Sequence, residues 1–143
     1  MSTEANMATA RQMIERAFNA GDLDAVDELL SPTAVDHQEA EGSNFPAHLK
    51  QAIRMLRTAF PDLHFDIHHM LAEDDIVAFH STMTGTHLGT FREIPATGCS
   101  IRARHMHFVR LHEGLGTELW HLWDTPALMR QLNTAAKQAV HPT

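Results

Sequence analysis

The sequence predicts an α+β domain, with helices in the first part of the chain and a mainly antiparallel sheet after them. Three observations carry this. Apolar residues recur at threes and fours up to Phe60, the spacing of a helix face, and from Leu63 the period changes to two, the spacing of a half-buried strand. Helices precede strands rather than alternating with them, which separates the chain from βαβ folds. With 143 residues the chain has the size of one domain. A single unit is expected over 1–143, with its core at about 7–133 and a flexible tail over 134–143.

The first helical stripe is Met7, Ala10, Met13, Ile14, Ala17 and Phe18, and Gly21 ends it. Asp22 can cap a second, shorter helix that buries Leu23, Val26, Leu29 and Leu30 before Ser31 and Pro32 interrupt. A loop is expected from Ala34 to Asn44. A third helix then starts at Pro46, runs through Leu49, Ala52, Ile53, Leu56 and Phe60, and stops at Pro61.

Leu63, Phe65 and Ile67 alternate with His64, Asp66 and His68 in a first predicted strand. The acidic turn Glu73, Asp74, Asp75 separates it from a second at Ile76 to Thr84, and Gly85 to Gly98 reads as a short strand with loops. Ile101 to Leu111 is a long strand. The short turn at Glu113 and Gly114 makes Glu118 to Trp123 its antiparallel partner. Thr125 and Pro126 look like the cap and first residue of a closing helix through Leu132. A curved sheet around a long helix leaves a hollow, where small ligands usually bind.

Composition narrows the function. Hydrophobic residues make up 43% and charged residues 20%, which is globular. The net charge of -7 opposes binding to a phosphate backbone, so no nucleic-acid partner is expected, and Arg102, Arg104 and Arg110 read as a solvated strand face. Cys99 is the single cysteine, which rules out an internal disulfide and a sulfur-rich zinc site and suits a reducing cytoplasm. No export signal or apolar run long enough to span a membrane is visible, so neither membrane association nor export is expected. Cys99 has no committed base beside it, no serine sits in a nucleophile elbow, and the glycines are too irregular to cradle a phosphate.

Strand alternation sorts the candidates for chemistry. Ile101, Ala103, His105, His107, Val109 and Leu111 face one way; Arg102, Arg104, Met106, Phe108 and Arg110 face the other. On the next strand Glu118, Trp120, Leu122 and Asp124 oppose Leu119, His121 and Trp123. Asp124, a strand-end carboxylate near two tryptophans, is a candidate proton carrier or, equally, the cap of the closing helix. His37, His105 and His107 are candidates because imidazole titrates near neutral pH and can hold a carbonyl. Among 12 histidines most are bystanders: His48, His68, His69, His112 and His141 read as surface or loop positions, with His64 and His80 undecided. His105 and His107 with an acid resemble a metal-ligand set, but two-apart histidines arise readily in so histidine-rich a chain, and no metal is assigned.

Several segments in order, "FNAGDLDAVDELLSPTAVDHQ", "AFPDLHF", "TGTHLGTF" with "IPATG", and "ELWHLWDTPALMRQL", together resemble the SnoaL-like polyketide cyclases, also called ester cyclases, of the nuclear-transport-factor-2-like superfamily. The resemblance implies a cone-shaped α+β barrel with a deep pocket, a homodimer packed through the outer sheet face, a small-molecule substrate, and no cofactor. It implies catalytic roles for Asp124, as base and then acid in an intramolecular aldol closure, and for His107 and His37. It also makes Trp120 a pocket aromatic; with it, His105, Phe60 and Phe79 are the expected substrate-lining residues.

The expected function is thus cofactor-free acid–base catalysis by a cyclase, lyase or isomerase on an apolar carbonyl compound. A non-catalytic ligand-binding domain of the same fold is the alternative. Related isomerases and epoxide hydrolases commonly use tyrosine, which this chain lacks entirely.

Overall fold

A computed structural model describes residues 2–140, with the side chain of Val140 excepted. Helices α1 (Thr3–Gln12), α2 (Asp24–Leu29), α3 (Phe45–Ala59) and α4 (Thr125–Val140) pack on a curved sheet of β1 (Leu30–Asp36), β2 (His64–Glu73), β3 (Ile76–Thr86), β4 (Ser100–His112) and β5 (Leu115–Trp123). The sheet order is β1-β5-β4-β3-β2, antiparallel except for the β1–β5 pair. The predicted α+β architecture is present, with one difference from a barrel: β1 and β2 are free edges, so the sheet does not close. No described helix is long and apolar enough to cross a membrane.

Ser2 caps α1 by accepting from the Ala5 N–H at 3.0 Å. The stripe predicted as one helix continues past α1 as a π-helical segment, Met13–Asn19. Wide turns of this kind are rare and are frequently found at functional sites. Here Arg57 Nη1 donates to the carbonyls of Phe18 and Asn19 at 2.8 and 2.9 Å, and the Asn19 side chain pairs with the backbone of Phe65 like one more strand residue. The π segment is thereby pinned to both α3 and β2. Gly21, at φ 73°, makes the sharp exit that a side chain would resist.

Two expectations for the next stretch change. Asp22 stands just outside α2, whose N-cap is Leu23, and Leu30 leaves the helix to begin β1. Residues 34–36, expected in a loop, are strand: a seven-residue edge strand containing Pro32 resists recognition because proline is tolerated only at such edges. Asn44 caps α3 through the Ala47 N–H at 3.3 Å, with Pro46 in the first turn as predicted.

β2, β3, β4 and β5 lie where the period-two pattern puts them, joined by tight turns at 74–75 and 113–114. Glu113 and Gly114 both take positive φ, 49° and 81°, the signature of a two-residue hairpin turn. A bulge between Ile67 and His69 lets β2 bend. The stretch 87–99 holds one isolated bridge, Phe91 to Ile94, in place of a short strand. α4 runs to Val140, beyond the expected end at Leu132 and through much of the expected tail, and Leu128 and Leu132 seal the core. His141 lies outside the described residues.

Candidate functional site

β4 presents alternate residues to the helices: Ile101, Ala103, His105 and His107 are buried while Arg102, Arg104, Met106 and Phe108 are exposed, and after the half-buried Val109 and Arg110, Leu111 is buried again. Register carries that inner face onto β5, where Trp123 lies opposite His105, His121 opposite His107 and Leu119 opposite Val109. β1 adds Asp36, which pairs with Leu119 across the parallel ladder. Three histidines and one carboxylate therefore meet under the helices, held on strands rather than loops.

They line a hollow of about 340 Å³ between the sheet, the π segment and α3. Asp36, Glu39, His48, His105 and His121 supply its polar wall; Leu49, Leu56, Phe65 and Trp123 are among its apolar residues. A second, smaller hollow of about 70 Å³ adjoins it, and Phe18, Phe45, Leu49, His107 and Leu119 border both.

Inside the larger chamber a hydrogen-bonded chain runs from strand to strand. His121 Nε2 lies 2.9 Å from Asp36 Oδ2, and His121 Nδ1 lies 3.1 Å from His105 Nε2. An ionised carboxylate only accepts, so His121 carries its proton on Nε2 and donates it to Asp36. In the neutral tautomer that donates Nε2–H to Asp36, the His121 Nδ1 is a lone pair and accepts from the His105 Nε2–H. His105 and His107, 8% and 7% exposed, stack at 4.1 Å between ring centres, and each has a buried Nδ1 with no partner. Burial pushes the His105 pKa down to about 3, with His121 nearby adding to the effect. Burial first, and its two histidine neighbours second, push His107 well below the usual range. Both are neutral imidazoles at physiological pH, because desolvation disfavours the charged ring.

One nitrogen from each of His105, His107 and His121 lies within 4.8 Å of the others, close enough for a divalent cation to be considered. Asp36 behind His121 has the place of an outer-shell carboxylate in such centres. The donor set therefore fits a cation, while its 3.1 Å contact is equally an ordinary imidazole hydrogen bond.

Of the residues singled out in the sequence, His105, His107 and Phe79 lie at these chambers, Phe79 stacked on His107 at 4.4 Å. Four others do not line either. Asp124 is exposed and caps α4, its Oδ1 accepting from the Ala127 N–H at 3.0 Å, which is the second of the two roles weighed for it. Trp120 is on the outer sheet face, because its strand alternates and its neighbour His121 faces in; His37 stacks on it at 4.6 Å and contacts Glu118. Phe60 is fully buried in the core beside His87 and Phe91.

Asp36, His121, Trp123 and His48 line the larger chamber in addition to the residues expected from the sequence. Asp36 was hidden by the unrecognised edge strand, although Ala34 and Asp36 alternate with Val35 as a strand would. His121 and Trp123 follow from the pairing of β5 with the histidine face of β4. His48, read as a surface position, sits on α3 at the chamber rim and bonds Glu39.

Comparisons with known proteins identify the family and the fold. The family model for SnoaL-like polyketide cyclases matches residues 8–132. No curated protein matches the chain. Among solved structures, AclR of Streptomyces galilaeus, a proposed hydroxylase, is 28% identical with a TM-score of 0.84 over 93% of this chain and 83% of its own. IdmH of Streptomyces antibioticus, a proposed polyketide cyclase, is 26% identical with a TM-score of 0.77 over 90% and 98%. TsrD of Streptomyces laurentii, at 22% identity and a TM-score of 0.83 over 92% and 97%, shares the fold. With a strand-borne polar site under its helices and a family match over most of its length, the chain belongs to the SnoaL-like polyketide cyclases.

Proposed function

We propose that the protein is an acid–base catalyst acting without a cofactor on an apolar carbonyl compound, with ring closure by an intramolecular aldol step as the favoured reaction. The observation that carries this reading is the Asp36–His121–His105 chain lining the larger chamber.

His121 Nδ1 takes a proton from a carbon activated by a neighbouring carbonyl, in place of the hydrogen bond it accepts from His105. Asp36 orients the ring and stabilises the imidazolium that forms. The freed His105 Nε2–H turns to the developing enolate oxygen; as a neutral imidazole it donates without already carrying charge. The enolate carbon then attacks a second carbonyl, and His121 returns its proton to the new alkoxide, so the step is balanced with no other reactant. Names attached to similar structures support a small-molecule enzyme in general, one a proposed cyclase and one a proposed hydroxylase.

A homodimer through the outer sheet face belongs to the same proposal. Met106, Phe108 and Leu122 are 53%, 53% and 70% exposed there, an apolar patch that suits a partner surface. The cytoplasm is the compartment proposed, since the single Cys99 is free.

The test is turnover and binding of polycyclic and simple β-keto esters by wild type, His121→Ala, Asp36→Asn and Asp124→Asn, each with a chelator control. We expect His121→Ala and Asp36→Asn to lose about 10²–10⁴-fold in turnover with binding kept, and Asp124→Asn to stay active. Turnover unchanged in His121→Ala refutes the mechanism. Turnover abolished by the chelator refutes its metal-free character, and binding with no turnover in any form indicates a ligand-binding domain.

A further inference from the structure

The two adjoining hollows differ in chemistry, and the difference describes a ligand. The larger chamber holds Asp36, Glu39, His48, His105 and His121. The smaller one is walled by Ala10, Ile14, Leu30, Ala34, Val109 and Leu111. The polar side chains bordering it offer little to a ligand. Thr9 Oγ1 already donates to the Ala5 carbonyl, and the Glu118 carboxylate is taken by Arg110 and His37. His107 stands at the boundary as a neutral ring packed on Phe79. Its unpartnered Nδ1 is a polar atom at the boundary; beyond it, among the aliphatic walls, a polar group would lose its water without gaining partners, at a cost that an apolar group avoids.

Size narrows the class further. An apolar cavity that accepts a benzene ring has about 150 Å³, whereas one water-sized probe needs about 10–15 Å³. At about 70 Å³ the smaller chamber is nearer the size of a slender chain of a few methylene groups than of a ring. The boundary residues Phe18, from the pinned π segment, and Phe45, from the start of α3, are bulky aromatics that further favour a narrow tail.

We infer that the ligand is a carbonyl compound carrying one unbranched apolar tail, its carbonyl end in the larger chamber and its tail in the smaller one past His107. The inference rests on the acid–base reading only in naming a carbonyl as the polar end.

The experiment is isothermal titration of linear methyl ketones from butanone to decanone, with phenyl-ended ketones of matching carbon count. It uses wild type, Ala34→Phe to fill the small chamber and Leu111→Ala to enlarge it, each checked for folding by circular dichroism. Affinity should rise about three- to fourfold per added methylene until the chamber is full, then level. Ala34→Phe should move the break to shorter tails and Leu111→Ala to longer ones; if Ala34→Phe does not fold, Leu111→Ala alone decides. Affinity independent of tail length, a break that Leu111→Ala leaves in place, phenyl-ended ketones binding as tightly, or no saturable binding at all overturns the inference. Binding is read without turnover and repeated in His121→Ala. Length dependence there, with turnover indifferent to His121, sinks only the acid–base reading; its absence, with turnover dependent on His121, sinks only the tail.

Discussion

Replacing His105 by phenylalanine tests whether this ring is held neutral by burial. The aromatic volume is kept against His107 at 4.1 Å, Trp123 at 5.6 Å and Phe65 at 5.8 Å, while the titrating nitrogen pair is removed. In the folded protein His105 protonates at about 3 and in the unfolded chain near the ordinary 6.5. Between those values the unfolded chain binds a proton that the folded protein does not, so stability rises with pH there and falls on acidification. Each pH unit inside the window is worth about 1.4 kcal/mol, and because protonation of the unfolded ring only begins near its pKa, the step from pH 7 to 5 amounts to about 2 kcal/mol. That is a sizeable share of a domain stability of about 5–15 kcal/mol.

Urea unfolding at pH 7 and pH 5 measures the effect. Wild type should lose about 2 kcal/mol more than His105→Phe over that step. Burial pushes His107 and His87 down in both proteins, so their contributions cancel in the difference. Equal pH dependence in the two proteins would refute the account of His105 as a ring kept neutral by desolvation.

Two further outcomes are expected. Asp124→Ala removes the α4 cap and should cost about 1 kcal/mol in urea unfolding, with turnover unchanged; a large loss of turnover at intact stability would return Asp124 to the chemistry. Phe108→Arg with Leu122→Arg places like charges on the exposed outer face and should convert a dimer to a monomer in analytical ultracentrifugation, and an unshifted dimer would place the interface elsewhere.

Much of the site's inner wall was legible because β4 is long and alternates cleanly through its first nine residues: His105 and His107 fall on one face with Ile101 and Ala103 by period alone. The face of β5 was legible too, but not which of its sides looked inward. Asp124 and Trp120 attracted attention because carboxylates and tryptophans carry chemistry, whereas His121 and Trp123 occupy the inner side by register with β4. Asp36 was out of reach for a different reason. Its strand is short, carries a proline and pairs in parallel with a partner about eighty residues away, and nothing local in the sequence encodes such a pairing.

By itself the sequence determined the α+β class, the order of the main helices and antiparallel strands, the family, and the histidine face of β4, since these depend on local periodicity, turn chemistry and ordered motifs. Only the tertiary structure decided that the sheet stays open, that Asp36 backs His121, that Asp124 caps a helix outside the cavity, and that a narrow apolar chamber adjoins a polar one. Each of those depends on which strands pair and which faces the helices cover, contacts between residues distant in the chain that period and propensity do not specify.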